Sequence, residues 1–215
     1  MANGSVKAVL FDFDMTLMDT SYAITECTNL LAGRYGLRRV TRGEMLKVIG
    51  LPIADSWVAI WGRFEEEWLE HYRASFRDVE QSGFKEFPGT RRVPSRLREA
   101  GVRTGVVSNR RFAASALEQS GIAALFDVVV GLEDVTNPKP HPEPILTALE
   151  RLGAEPGDAA YVGDTDIDMR TSVAAGVTGI GVTTGNFGAD GLLSAGASRT
   201  CESLDEIPPI VLAAE

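Results

Sequence analysis

The chain has few cysteines. It contains Cys27 and Cys201 in 215 residues, and the two lie far apart and outside any Cys-x-x-Cys or Cys/His pattern. Such a pair is typical of ordinary thiols in a reducing compartment. The cysteine content therefore favours a cytoplasmic protein.

Basic residues are fewer than acidic ones. The 21 Lys and Arg residues against 30 Asp and Glu residues give a net charge of −9, and no run of Lys and Arg exceeds two or three residues. A long-range field of this sign repels nucleic acids and anionic membrane surfaces. We therefore expect no nucleic-acid partner.

Long apolar runs are also missing. No window approaches 18 uninterrupted apolar residues, and the first residues do not combine a basic segment with an apolar stretch. We therefore expect neither secretion nor membrane insertion. The 44% of apolar residues that are present are enough for one full domain plus a smaller one.

The apolar residues form short runs separated by helix-like segments. This alternation is typical of buried parallel strands joined by crossover helices, so we predict an α/β fold with a parallel sheet. A glycine follows each of three predicted helices (111–120, 142–152 and 166–175), where a helix C-cap is expected. The predicted strands are 6–11, 102–107, 126–130, 159–162 and 178–182.

About 90 residues separate the first predicted strand from the second, where a single helix would suffice. We therefore predict a helical domain inserted at 20–87 in a core formed by 1–19 and 88–215. Gly50-Leu51-Pro52 interrupts two of its helices. Five aromatic residues are spaced to share one helix face and to form the packing core of a small bundle. They are Trp57, Trp61, Phe64, Trp68 and Tyr72.

The first predicted strand ends in Asp12-Phe13-Asp14-Met15-Thr16. Open α/β sheets bind ligands at the carboxyl ends of their strands. Two carboxylates crowded there repel each other, so the pattern indicates a shared cation or proton. An acid-rich solvated loop is the alternative.

Three later strand ends carry complementary groups. Ser108-Asn109 could hold an anion or cap a helix, and Lys139 lies between prolines in a stiff loop. Asp164 and Asp168 are four residues apart and can approach one point. Together with the first pair of acids, this set suits a phosphate and a hard divalent cation.

These four motifs, in this order and spacing, resemble the haloacid dehalogenase superfamily of phosphatases, and are most similar to its phosphoglycolate phosphatase-like branch with a small helical (C1) cap. The resemblance runs from about residue 6 to residue 182. It implies a Rossmann-like three-layer core, a cap inserted after the first motif, a magnesium ion and an aspartyl-phosphate intermediate.

The resemblance also implies roles for the catalytic residues. Asp12 would be the nucleophile, because a carboxylate can attack phosphorus and leave an acyl phosphate for water to open. Asp14 would give a proton to the leaving oxygen and later take one from water. Lys139 would balance the negative charge on Asp12 and on the phosphoryl group.

Ligand-binding roles follow in the same way. Mg²⁺ would bind the Asp12 carboxylate, the Asp14 backbone carbonyl and Asp164, while Asp168 would orient these ligands from behind. The phosphoryl oxygens would be held by Thr16, Ser108, the Asn109 amide and Lys139.

Two positions depart from the branch. Met15 stands where Gly is common, so either the backbone needs no positive φ there or the side chain narrows the mouth of the site. Arg110 and Arg111 make the second motif more basic than expected, and we interpret them as solvated helix surface rather than as an extra anion contact.

The substrate is predicted as a small phosphorylated metabolite. Phosphoglycolate is the default by analogy, while sugar phosphates, nucleoside monophosphates and pyrophosphate stay open. A phosphomutase similar to β-phosphoglucomutase, a phospho-accepting receiver domain and a binding protein without turnover are the alternatives. The chain is expected to be a monomer or a homodimer.

Overall fold

The computed structural model describes residues 6–213, and a parallel sheet of six strands lies at its centre. The strands are β1 (Ala8–Phe11), β2 (Met18–Asp19), β3 (Lys85–Glu86), β4 (Arg103–Val107), β5 (Val128–Val130), β6 (Ala159–Gly163), β7 (Thr178–Val182) and β8 (Arg199–Cys201). The order in the central sheet is β5-β4-β1-β6-β7-β8, with every neighbouring pair parallel. A separate antiparallel pair is formed by β2 and β3.

Among the described residues, five α-helices lie between β2 and β3, and six follow β3. The first group is α1 (Ser21–Tyr35), α2 (Arg42–Leu46), α3 (Ile53–Trp61), α4 (Glu66–Ser75) and α5 (Arg77–Ser82). The second group is α6 (Arg92–Glu99), α7 (Ala113–Gln119), α8 (Glu143–Leu152), α9 (Asp166–Ala175), α10 (Ala189–Ser194) and α11 (Ile207–Val211). Within residues 6–213, no helix combines the length and the apolar character needed to cross a membrane.

The sheet is covered on both faces. On one face Val9 and Phe11 of β1 pack with Leu97 of α6, Leu117 of α7 and Ile207 of α11. On the other face, residues of β1 and β6 pack with α8 and α9. Strands buried on both faces must be apolar throughout, which is why the sequence shows runs rather than alternation. The predicted α/β fold with a Rossmann-like three-layer core is confirmed.

All five predicted strands are present, within two residues at each end. The helix predicted at 166–175 has those bounds, and Gly176 caps it at φ 71°. The edge strand β8 was not predicted, because its three residues include an exposed Arg199 and give no apolar run. An edge strand has only one neighbour, so it needs less apolar sequence than a central strand.

The β2–β3 pair joins the helical insertion to the sheet domain. Met18 pairs with Glu86, and Asp19 pairs with Lys85. The two chain segments that enter and leave the insertion therefore run side by side. The domain boundaries at 20 and 87 stay a proposal, which this pairing supports.

The aromatic residues of the insertion form one cluster, but not on one helix as predicted. Gly62 takes a left-handed conformation (φ 76°) and ends α3, so Phe64 lies between α3 and α4. Trp57 nevertheless contacts the rings of Trp61, Phe64, Trp68 and Tyr72, with centroids 5.5–6.5 Å apart. The spacing correctly indicated a shared core but could not show the break.

Met15 adopts a backbone conformation that glycine favours, with φ at 59°. Of the two alternatives for Met15, a backbone that needs no positive φ is therefore excluded. The Met15 side chain is buried against Met45, Val48 and Ile49 of the insertion. This contact provides apolar burial that glycine could not, against a backbone cost of about 1–2 kcal/mol.

Candidate active site

The predicted site residues follow strands that are neighbours in the sheet. Asp12 follows β1, Ser108 follows β4 and Asp164 follows β6, while Lys139 lies in the loop after β5. Because these strands are parallel, their carboxyl ends meet at the same edge. The structure thus brings the four motifs together.

Lys139 lies between two buried carboxylates. Its Nζ is 3.0 Å from Asp12 Oδ1 and 2.7 Å from Asp168 Oδ1, and all three side chains are at most 2% exposed. Burial alone would lower the pKa of Lys139, but the charges of Asp12 and Asp168 outweigh it and raise that pKa. Lys139 is therefore a fixed cation beside the predicted nucleophile.

Two residues that sequence reasoning missed hold this arrangement. Lys139 Nζ donates to Tyr161 OH at 2.8 Å, and that oxygen also lies 3.0 Å from Asp168 Oδ1 and from the Val107 carbonyl. Thr165 N–H donates to Asp168 Oδ2 at 3.0 Å. The Asp168 carboxylate is thus engaged on both oxygens, in agreement with an orienting role.

Three acids can approach one cation. One oxygen each from Asp12, Asp164 and Asp168 lies within 4.8 Å of the others. Asp12 Oδ1 is buried without a well-directed hydrogen bond, although Lys139 is close. Burial, together with the neighbouring acids Asp168 and Asp14, raises the pKa of Asp12 to about 7 despite Lys139. Burial and the charges of Asp168 and Asp12 likewise raise the pKa of Asp164.

This donor set fits a hard divalent cation. Three buried carboxylates crowded around one cation side chain gain from a further positive charge among them. Gly185 lies directly beside the Asp164 carboxylate, where a Cβ would collide with Oδ2. The glycine at position 185 therefore leaves the space that the Asp164 carboxylate occupies.

Thr16 is buried, and its hydroxyl donates to Asp164 Oδ1 at 3.0 Å. In this arrangement the hydroxyl orients a predicted metal ligand. Its predicted contact with phosphoryl oxygens stays a prediction.

Asp14 has well-defined partners. Its Oδ1 accepts from the Thr20 hydroxyl at 2.7 Å and from Arg110 Nη2 at 2.7 Å, and its Oδ2 accepts from Arg110 Nε at 3.2 Å. A bidentate Arg contact fixes the plane of a carboxylate as well as its position. The predicted acid/base residue is thus held by a side chain from the loop after β4.

Arg110 also reaches the helical insertion. Its Nη1 donates to Glu80 Oε1 at 2.6 Å, and Tyr72 OH donates to the other Glu80 oxygen. Only 14% of the Arg110 side chain is exposed. Our interpretation of Arg110 as solvated helix surface is therefore wrong, because two buried acids from different parts of the chain hold it. Arg111 is exposed, as expected.

Ser108 and Asn109 lie at the same edge. Ser108 Oγ accepts from Arg110 N–H at 3.2 Å. The Asn109 amide group donates to the carbonyls of Gly50 and Lys139, and its Oδ1 accepts from Lys139 N–H at 2.9 Å. The Asn109 side chain thus positions the lysine loop and contacts the insertion, while its predicted phosphate contact stays untested.

Glu80 could not be found from local sequence, and Tyr161 could be found only from a weak signal. Glu80 sits in an ordinary polar helix, and only the packing of α5 on the core reveals its partner. Tyr161 offered one weak signal, a lone hydroxyl within an otherwise apolar strand. A buried Tyr hydroxyl usually has a hydrogen-bond partner.

A cavity of about 140 Å³ opens above these groups, between the sheet edge and the insertion. Asp12, Asp14, Ser108 and Asn109 line its floor, and residues of α3, α4 and α5 line its roof. The insertion therefore covers the site as a cap. The volume suits a small molecule rather than a polymer.

Comparisons with known proteins agree with this geometry. The family model for haloacid dehalogenase-like hydrolases matches residues 9–182. Pyrophosphatase PpaX of Bacillus velezensis is 34% identical over 184 residues, which cover 85% of each chain. The probable phosphatase IndB of Dickeya dadantii is 32% identical over 208 residues, covering 93% of this chain and 90% of that one.

A solved structure is also similar. The crystal structure of a predicted phosphatase from Clostridium acetobutylicum superposes with a TM-score of 0.87 at 26% identity, covering 97% of this chain and 99% of that one. The family match spans most of the chain and contains all four strand-end motifs. The chain therefore belongs to the haloacid dehalogenase-like hydrolases and is a phosphatase-type enzyme of that family.

Proposed function

We propose that the protein is a magnesium-dependent phosphatase that transfers the phosphoryl group of a small substrate to Asp12 and then to water. The observation that carries this proposal is the convergence of Asp12, Asp164 and Asp168 within 4.8 Å, with Lys139 3.0 Å from Asp12. This combination supports a nucleophile, a cation site and a fixed positive charge at one edge of the sheet.

In the first step an oxygen of Asp12 bonds to phosphorus, and the bond from phosphorus to the leaving oxygen breaks. For this step the Asp14 carboxyl group must be protonated and released from its ion pair with Arg110, and it then gives its proton to that oxygen. In the second step Asp14 takes a proton from water, whose oxygen bonds to phosphorus and releases Asp12 as phosphate departs. The contacts from Thr20 and Arg110 hold the ionised Asp14 carboxylate, which is the form that accepts the proton in this second step.

Charge develops on the phosphoryl oxygens during both steps. Lys139 stabilises it, because its ammonium is already held beside Asp12 and needs no reorganisation. Asp12, Asp164 and the Asp14 carbonyl would hold Mg²⁺, which supplies a Lewis acid for the phosphoryl oxygens when bound. Asp168 acts through Lys139 and is a positioning residue.

The substrate is proposed to be a small phosphorylated metabolite. Phosphoglycolate is the default that the resemblance implies, and the curated relatives at 34% and 30% identity include pyrophosphatases. Pyrophosphate therefore joins phosphoglycolate as a first candidate. Cytoplasmic location and a monomeric or dimeric state stay predictions from the sequence.

The test is phosphate release from a panel of small phosphate esters and pyrophosphate, with Mg²⁺ and with EDTA, for the wild-type protein and Asp12→Asn. Release that needs Mg²⁺ and falls by at least about 10³-fold in Asp12→Asn is expected, because an amide cannot form the acyl phosphate. Mass spectrometry of quenched wild-type enzyme should show phosphate on Asp12.

Asp190→Asn is the matched control. Asp190 is exposed on α10, and its substitution by Asn makes the same change in charge away from the site. It should keep wild-type activity. Unchanged turnover in Asp12→Asn would overturn the mechanism. Phosphate transfer to a second sugar hydroxyl, without release to water, would indicate the mutase alternative.

A further inference from the structure

Three arginines at the cavity have no acidic partner. Arg73 of α4, Arg77 of α5 and Arg111 of the loop after β4 all line the cavity that contains Asp12. Among residues 6–213, none of the three has a carboxylate oxygen within 4.0 Å or donates a side-chain hydrogen bond. Most other arginines of this acidic protein do have such a partner.

The three charges act on one another. Burial and the positive charge of Arg111 lower the pKa of Arg73, and Arg77 lowers it further, although Glu66 opposes them from beyond 4.0 Å. Clustering like charges costs stability unless a counter-charge arrives.

The nearby acids are already engaged. Asp14 and Glu80 both bind Arg110, the fourth arginine at the cavity. The central guanidinium carbon of Arg77 lies 4.5 Å from the centroid of the Phe112 ring, in a cation–π contact. This contact uses the flat face of the guanidinium group, so its N–H groups can still donate hydrogen bonds in the plane of the group. The cluster thus has donors without acceptors, on the cap side of the site.

We propose that Arg73, Arg77 and Arg111 form a binding site for a second anionic group of the substrate, carried by the leaving group. This inference rests on the proposed phosphatase function and deepens it by naming the substrate class. The class is small phosphates whose leaving group is itself an anion, either a second phosphate or a carboxylate.

The position of the cluster fits this role. Asp12, at the floor of the cavity, would receive the phosphoryl group, and Arg73 and Arg77 belong to the helices that cover it, on the side where the leaving group would lie. Two of the arginines belong to the cap and one to the sheet domain. A bound anion would therefore contact both the cap and the sheet domain, and would stabilise the arrangement in which the cap covers the site.

The experiment compares kcat/KM for 2-phosphoglycolate and for 2-hydroxyethyl phosphate. The two esters are similar in size and differ in whether the leaving group carries a carboxylate. Pyrophosphate forms a second arm, which distinguishes a phosphate from a carboxylate as the second anion. The proteins are wild type, Arg73→Gln, Arg111→Gln and, as a matched control, Arg39→Gln, since Arg39 is an exposed arginine outside the cavity.

For the wild-type protein we expect kcat/KM for at least one of the two anionic substrates to exceed kcat/KM for 2-hydroxyethyl phosphate by 10-fold or more. Arg73→Gln and Arg111→Gln should each lower that ratio about 10-fold, since a charge-assisted contact contributes roughly this factor. Arg39→Gln should keep the wild-type ratio. Thermal unfolding should show no loss of stability in Arg111→Gln, which separates a binding defect from misfolding.

Equal kcat/KM for the anionic and neutral substrates in wild type would overturn the inference while leaving the phosphatase function intact. A ratio unchanged in both Arg73→Gln and Arg111→Gln would do the same. Absence of phosphate release from every compound would instead contradict the proposed function. The two failures are therefore distinguishable.

Discussion

Removing one hydroxyl from the centre of the site tests whether the buried network is as tightly connected as its distances indicate. Tyr161→Phe keeps the ring, which packs in the sheet core, and deletes the oxygen that Lys139, Asp168 and the Val107 carbonyl share. The change therefore alters hydrogen bonding with little change in volume.

The cost can be worked out from the partners that stay. Lys139 keeps Asp12 and Asp168, and Asp168 keeps Thr165, so no charge is left unpartnered. The loss is then close to one hydrogen bond to a charged group, about 2 kcal/mol in the free energy of unfolding. For a chain of this length, that corresponds to a melting temperature lower by about 4–8 °C.

Urea unfolding of the full chain without substrate measures this difference, and Tyr22→Phe is the matched control. Tyr22 is 55% exposed, and its hydroxyl makes no hydrogen bond within the described residues, so its removal should change stability by less than about 0.5 kcal/mol. If Tyr161→Phe is as stable as Tyr22→Phe, the hydroxyl does not stabilise the Lys139 arrangement and our reasoning is refuted.

Two further predictions concern the cap contact and the cation site. Glu80→Gln should lower the free energy of unfolding by about 3 kcal/mol, because Arg110 loses one of its two buried charged partners. Urea unfolding measures this difference. A loss below about 0.5 kcal/mol would contradict a stabilising buried pair between Arg110 and Glu80. Gly185→Ala should raise the Mg²⁺ concentration for half-maximal phosphate release about 10-fold, because the added Cβ displaces the Asp164 carboxylate. Gly188→Ala is its control, since a Cβ there meets open space, and an equal Mg²⁺ requirement in the two variants would count against Asp164 as a ligand.

Much of the site could be predicted because strand ends are a consequence of local sequence. Apolar runs mark buried strands, and parallel strands bring their carboxyl ends to one edge. Such runs precede the four site residues Asp12, Ser108, Lys139 and Asp164. A parallel sheet in which these strands are neighbours is then enough to predict that the four residues lie close together. The five-strand pattern and the long insertion were readable for the same reason.

Contacts that join distant segments could not be predicted in this way. Arg110 and Arg111 are adjacent and identical in type, yet one is held between Asp14 and Glu80 and the other is exposed. Nothing in their local sequence distinguishes them. Their environments differ because only Arg110 reaches the carboxylates of Asp14 and Glu80.

The sequence by itself determined the α/β class, the inserted cap and the identity of the strand-end acids, because periodicity and strand termini are local properties. Only the tertiary structure decided that Arg110 holds Asp14, that Tyr161 supports Lys139, and that three arginines from two parts of the chain share a cavity with Asp12. These are contacts across tens of residues. They depend on how the cap packs against the sheet, and no pattern within one segment encodes that packing.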